Sequence, residues 1–208
     1  MPIIWGRANS SNVMKLLWFC AETGLDYERR DAGGAFGVTR EASYTAKNPM
    51  SLVPTLEEPD GWAVWESNTI LRYLASTTPA AAALYPAAPR ARAGIERWMD
   101  WQLAHLSKPM TTLFFTHVRI PEPERDWPAT EAARREAAAL WTLLDRHLEG
   151  RAFIEGDTFT LADIALGIFA HRWHALPVER PELPELRRWY DALAGRPGFA
   201  RHVMVPMT

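Results

Sequence analysis

The sequence predicts two successive domains, a small α/β unit and then an all-helical one. Three observations predict this. Short β-rich runs alternate with helical periodicity through the first 77 residues. Composition shifts at residues 77–90, TTPAAAALYPAAPR, where three prolines and a run of alanines read as a linker. Beyond that point apolar residues recur at helical spacing and strand signals stop.

The elements follow in order. Pro2-Ile3-Ile4-Trp5 is a β-rich run that stops at Gly6. After the polar stretch Asn9-Ser10-Ser11-Asn12, Val13, Leu16, Leu17 and Cys20 share one helical face, and Gly24 ends the helix. Asp26-Tyr27-Glu28-Arg29 reads as a second strand, and the glycine-rich residues 31–41 as a loop. Asn48-Pro49 marks a turn. Leu52-Val53-Pro54-Thr55-Leu56 and Trp62-Ala63-Val64-Trp65 read as strands around the turn residues Pro59-Asp60-Gly61. Glu66-Ser67-Asn68 opens a helix carrying Ile70, Leu71 and Leu74. The predicted boundaries are 1–77, a linker at 78–88, and a helical domain at 89–208. Four stripes mark the helical part: Ile95 to Leu106, Leu140 to Leu148, Leu161 to Phe169, and Leu186 to Leu193. Pro121, Pro123 and Pro128 break the chain between the first two.

Composition narrows the function. Hydrophobic residues make up 48% of the 208, enough for a sizeable core, and ten tryptophans point to packed aromatic seams or an interface. A net charge of -2 with no basic block argues against nucleic acid and against an anionic membrane surface. The single cysteine, Cys20, leaves no intramolecular disulfide and fits a reducing compartment. The start MPIIWGRANSS has no signal-peptide pattern, and no apolar run reaches bilayer length. The expectation is a soluble cytoplasmic protein. Six histidines show no zinc-like spacing, so no metal is expected. His105 and His147 fall on apolar stripes and read as core or interface residues, and Trp98, Met99 and Trp101 as helix packing or dimer contact.

Four features, in this order, resemble the cytosolic glutathione transferase family over nearly the whole chain. They are the hydroxyl-rich turn Ser10-Ser11-Asn12, Leu52-Val53-Pro54, Glu66-Ser67-Asn68, and Thr160-Leu161-Ala162-Asp163. The resemblance implies a thioredoxin-like N-terminal domain that binds glutathione, an all-α C-terminal domain, and usually a homodimer. It implies glutathione as co-substrate and a detoxifying transferase chemistry.

That chemistry needs a thiolate. A thiol with a reference pKa of about 8.5 must be lowered by about two units, which takes about 2.7 kcal/mol. A hydrogen bond to a charged acceptor supplies about 1.5–3 kcal/mol, and a helix N-terminus about 0.3–1. Ser10 sits where both act and matches the hydroxyl position of Theta- and Zeta-like classes. Asn12 matches an asparagine used in the Nu-like bacterial class. Ser11 and Asn12 are the second candidates, and simple helix capping is the competing role for all three. Leu52-Val53-Pro54 resembles the family's cis-proline turn, whose backbone would pair with the tripeptide as an added strand. The competing reading is a trans proline at a strand edge. Glu66 would pair with the tripeptide's α-amino group, and Ser67 with the γ-glutamyl carboxylate at the helix N-terminus. Leu52 stands where several classes carry a basic residue, so Arg40 is the candidate for the glycine carboxylate.

Family geometry implies an electrophile pocket, for which Phe36, Phe114, Phe115, His117 and Trp173 are candidates, with core packing as the alternative for each. Asp163 reads as structural, within a capping pattern. No cysteine lies near Ser10, which argues against a member that uses its own thiol. Three functions stay open: glutathione transfer to an alkyl halide, activated aromatic or epoxide; glutathione-dependent disulfide or hydroperoxide reduction of Nu-like type; and a non-catalytic interaction protein of the same fold.

Overall fold

A computed structural model describes residues 1–208. The chain divides into two compact units, Met1–Tyr85 with Pro197–Val205, and Pro86–Arg196 with Pro206–Thr208.

In the first unit the elements run β1 (Ile3–Trp5), α1 (Ser11–Thr23), β2 (Glu28–Arg30), the one-turn helix α2 (Ala42–Thr45), β3 (Thr55–Glu57), β4 (Ala63–Trp65) and α3 (Ser67–Thr77). The four strands form one mixed sheet in the order β2-β1-β3-β4. β1 runs parallel to β2 and antiparallel to β3, which is antiparallel to β4. Ile4 pairs with Arg29 on one side and Leu56 on the other, and Ile4 and Leu56 are both fully buried. The β1–α1–β2 crossover is what allows two parallel neighbours.

Helix α1 buries more than its predicted stripe. Val13, Leu16, Leu17 and Cys20 are buried, and so are Trp18 and Phe19 on the other side. The reason is the last helix of this unit, which covers that side. α9 (Pro197–His202) packs on α1, with the Phe199 ring edge-on to Trp18 at 4.8 Å. A Cβ on Gly198 would lie 2.9 Å from Trp18 Cδ1, so only glycine lets the backbones come this close. Residues 197–205 therefore leave the helical domain that the sequence predicts for 89–208. The predicted linker 78–88 is likewise not bare connection: Ala81, Leu84 and Tyr85 are buried. Helix α1 ends at Gly24, whose φ of 68° is the left-handed cap and whose N–H donates to Cys20 O.

Strand β3 begins at Thr55, three residues later than the pattern predicts. Pro54 has no N–H for a ladder, and the Leu52 carbonyl is taken by Tyr44 Oη at 2.6 Å and Asn48 Nδ2 at 2.9 Å. The Val53–Pro54 peptide is cis.

The second unit holds α4 (Pro89–Trp101), α5 (Ser107–Phe114), α6 (Trp127–Leu148), α7 (Leu161–Ala175) and α8 (Pro184–Ala194). α4 and α5 are joined by a π-helical segment, Gln102–Leu106. That wider turn shifts the helical phase. It buries Gln102 and exposes Leu103 and His105, so His105 leaves the apolar stripe on which the 3.6-residue period places it. His147 stays on its stripe, with Nε2 2.7 Å from Ile154 O, and its ring lies against Trp98.

Helix α7 is the centre of this unit. Leu161 through Ala170 are all buried, a helix apolar on every side rather than along one stripe, because α4, α5 and α8 all pack on it. Its start is fixed by Asp163, which is fully buried. The carboxylate accepts from Ile154 N at 3.0 Å, Thr160 N at 2.8 Å, Thr160 Oγ1 at 3.1 Å and Trp189 Nε1 at 2.8 Å. Burial pushes its pKa up to about 6, and the four donors pull against that rise. The Thr160–Asp163 capping box therefore ties α7, α8 and the 154–160 segment together.

Two stability outcomes follow. Asp163→Ala strands three buried N–H donors and is expected to lower unfolding free energy by about 3 kcal/mol or more in denaturant titration. Gly6→Ala forces a Cβ to 2.4 Å from Val13 Cγ2 and 3.2 Å from Val53 Cβ. It is expected to cost about 1–3 kcal/mol in the same measurement.

Candidate functional site

Three segments of the first unit converge beside the N-terminus of α1: the turn after β1, the loop before β3, and the start of α3. Gly6 sets the first contact. With φ at 152° and no side chain, it lets the turn lie against Val13 and Val53. Gly33 does the same from the other side, where a Cβ would stand 3.2 Å from Val53 Cγ1. The Val53 side chain fills the space between the two glycines. Its backbone N–H and C=O make no hydrogen bond within the chain. Asn48 fixes the loop that presents them, donating to Leu52 O and Thr55 Oγ1 and accepting from Met50 N.

Ser10 occupies the N-cap position of α1 with extended backbone angles and is 8% exposed. Its carbonyl accepts from Met14 N at 2.8 Å, as an N-cap carbonyl should. Its hydroxyl makes no capping bond. The ordinary role for a serine here is thus absent, and the hydroxyl is left at the positive end of a 13-residue helix. Ser11 is the first helical residue. Asn12 is engaged elsewhere, its Oδ1 accepting from Ser67 Oγ at 3.2 Å.

That bond carries the site to α3. Glu66 precedes the helix with φ at 73°, a left-handed angle on a residue with a side chain, which costs on the order of 1–3 kcal/mol. Its carboxylate is exposed and does not cap the helix. Ser67 and Asn68 are buried in the first turn. Beneath them lies Lys15 of α1, 0% exposed, whose Nζ donates to Ser67 Oγ at 3.3 Å and Asn68 Oδ1 at 2.9 Å. In the sequence Lys15 reads only as a polar gap between Val13 and Leu16. One signal was available: Asn12 and Lys15 stand three apart and so share a helix face. Arg7, in the β1–α1 turn, belongs to none of the sequence motifs. It lies across Gly33 and Gly34, with Nη1 3.3 Å from where a Gly33 Cβ would be.

Arg40 is exposed and lines a cleft of about 530 Å³ with Gly34, Gly37, Val38, Thr39, Glu41 and Ser51. Phe36, in the 3-10 turn Gly34–Phe36, is 54% exposed, and Leu52 is 62% exposed. The remaining pocket candidates belong to the second unit. Phe114 is 4% exposed with the Arg172 guanidinium 3.9 Å from its ring centre, and Trp173 is 1% exposed against Trp141. Both rings are buried, and Trp173 also lines a cleft of about 480 Å³ with His174, Arg180, Leu183 and Leu186. Phe115 is 48% exposed. His117 is half-buried with its ring against Trp127, and burial together with Arg125 holds its pKa below the usual imidazole range.

Cys20 is buried, which pushes its thiol up to about 12. At that value it carries no thiolate near neutrality. No group of three or more His, Cys, Asp and Glu side chains is placed to hold a metal ion. No helix is long and apolar enough to cross a membrane.

The arrangement has close relatives. The family model for the glutathione S-transferase N-terminal domain matches residues 9–77, and that for the C-terminal domain matches residues 128–192. The chain is 38% identical to glutathione S-transferase GstB of Escherichia coli K12, over 100% of both chains. The theta class glutathione S-transferase of Xanthomonas axonopodis pv. citri, solved with glutathione bound, is 43% identical with a TM-score of 0.94, covering 100% of this chain and 99% of that one. Its apo form is matched at 40% identity and a TM-score of 0.86. With both domain models matched and full-length relatives above 30% identity, the chain belongs to the glutathione S-transferase family of enzymes.

Proposed function

We propose that the protein transfers glutathione to a small electrophile and that Ser10 activates the thiol. One observation carries this reading: a buried serine at the start of α1 whose hydroxyl is not spent on capping. A hydroxyl donating to a thiolate contributes about 1.5–3 kcal/mol. The helix end adds about 0.3–1 kcal/mol. Together they match the roughly 2.7 kcal/mol needed to lower a thiol pKa by about two units.

The same reading assigns the other groups. The open backbone N–H and C=O of Val53 would pair with the cysteinyl residue as a short added strand. Ser67 and the first N–H groups of α3 would take the γ-glutamyl carboxylate. Glu66, exposed at a strained angle just before that helix, would meet the α-amino group. Arg40, at the edge of its cleft, would meet the glycine carboxylate. Asn12 supports Ser67 and stands second to Ser10 as thiol donor. The protein works in this proposal as a cytoplasmic homodimer.

Ser10→Ala is expected to lower kcat/KM for a small electrophile by at least about tenfold, the equivalent of about 1.4 kcal/mol of transition-state stabilisation. Glutathione should still bind. The thiolate ultraviolet absorbance of the complex should fall at neutral pH, because losing a donor to the anion raises the thiol pKa. Unchanged absorbance would move the role to Asn12 or a backbone N–H. Assaying the wild-type protein with glutathione mixed disulfides in parallel tests the reductase alternative, and faster turnover there than with electrophiles would favour it. Sedimentation at micromolar concentration is expected to give twice the chain mass.

A further inference from the structure

We infer that Lys15 is a positioning residue for the γ-glutamyl carboxylate: its buried ammonium anchors the Ser67 hydroxyl and biases that end of the site toward an anion. The inference rests on the glutathione-binding reading above and adds a residue to it.

The chain has only three lysines, Lys15, Lys47 and Lys108. Lys108 is exposed and Lys47 half-buried, while Lys15 is 0% exposed. A lysine ammonium is almost never buried completely unless it is paired. Its Nζ donates to the first turn of α3, to Ser67 Oγ and Asn68 Oδ1. The ammonium is therefore held behind the helix end to which an anion would dock.

The hydrogen-bond directions show what it does there. Ser67 gives its hydrogen to Asn12 Oδ1 and accepts from Lys15. An incoming carboxylate is a charged acceptor and outcompetes the neutral Asn12 amide for that hydrogen. Ser67 can then turn its hydrogen outward without moving its oxygen, because Lys15 still holds Oγ. An ammonium bonded to the oxygen also draws electron density from it, which makes the O–H a stronger donor. A side chain without a donor at position 15 would supply neither effect, and a neutral amide would lack the charge on which the second depends.

A purely structural role, tying α1 to α3, predicts something different. It would affect every ligand of the site alike. The test therefore compares glutathione with 4-aminobutanoyl-cysteinyl-glycine, which keeps the amine, thiol and glycine carboxylate and lacks only the γ-glutamyl carboxylate. Binding of both to the full-length protein is measured by calorimetry. Wild-type protein is expected to favour glutathione by at least about thirtyfold, the worth of hydrogen bonds to a charged group. Lys15→Met and Lys15→Gln should each weaken glutathione by at least about tenfold and the analogue by no more than about threefold. Equal losses for the two ligands in either folded variant would overturn the inference.

A second measurement needs no variant. In wild-type protein labelled with nitrogen-15 at lysine, the slowly exchanging ammonium resonance of Lys15 should shift on adding glutathione and stay in place with the analogue. The same shift with both, or none with glutathione bound, would also overturn it. No glutathione binding by the wild-type protein would instead overturn the functional reading on which the inference rests.

Discussion

The close approach of the β1–α1 turn to Val53 is the constraint on which the candidate site depends. It exists because Gly6 and Gly33 have no Cβ where Val53 packs. From that contact the rest follows in order. It sets the β1–α1 turn, which leads into Ser10, against the loop that presents the open Val53 backbone. Asn12, two residues on, reaches Ser67 across to α3. Lys15, one turn further, closes the link from below. A polar chain of Asn12, Ser67, Lys15 and Asn68 therefore joins two helix N-termini in the first unit, and both of those ends carry partial positive charge. Such an arrangement favours anionic groups at both helix ends.

The two units are stabilised by different means. The first relies on close packing at glycines, Gly6 against Val13 and Gly198 against Trp18, with Phe199 of α9 sealing the far side of α1. The second relies on one buried carboxylate. Asp163 gathers donors from Ile154, Thr160 and Trp189, and the helix that it starts is buried all round from Leu161 to Ala170. Two polar groups at helix starts thus differ in what they touch. Asp163 has every partner inside the protein, whereas the Ser10 hydroxyl has none.

Much of this was legible in the sequence, and the limits have physical causes. Strand and helix order could be read from periodicity, and Ser10, Val53 and Ser67 from motifs resembling a known family. Boundaries failed where a local signal was overridden by a side chain from elsewhere. Strand β3 starts late because Tyr44 and Asn48 capture the Leu52 carbonyl. His105 escapes its stripe because the helix widens to a π turn at Gln102–Leu106, which no residue pattern announces. Lys15 was missed because a lysine on a mostly apolar helix looks like a solvated residue until the partner helix is placed. Composition does not separate core from pocket at Phe114 and Trp173: both rings are buried, Trp173 also lines a cleft, and an aromatic ring gives the same signal in either place.

The most direct test is a crystal structure of this protein with glutathione bound, read at one distance, from the tripeptide sulfur to Ser10 Oγ. The account predicts a hydrogen-bonding distance, with the cysteinyl backbone paired to Val53. A sulfur turned away from the start of α1, with Ser10 Oγ bonded only to water or to the protein, would contradict it.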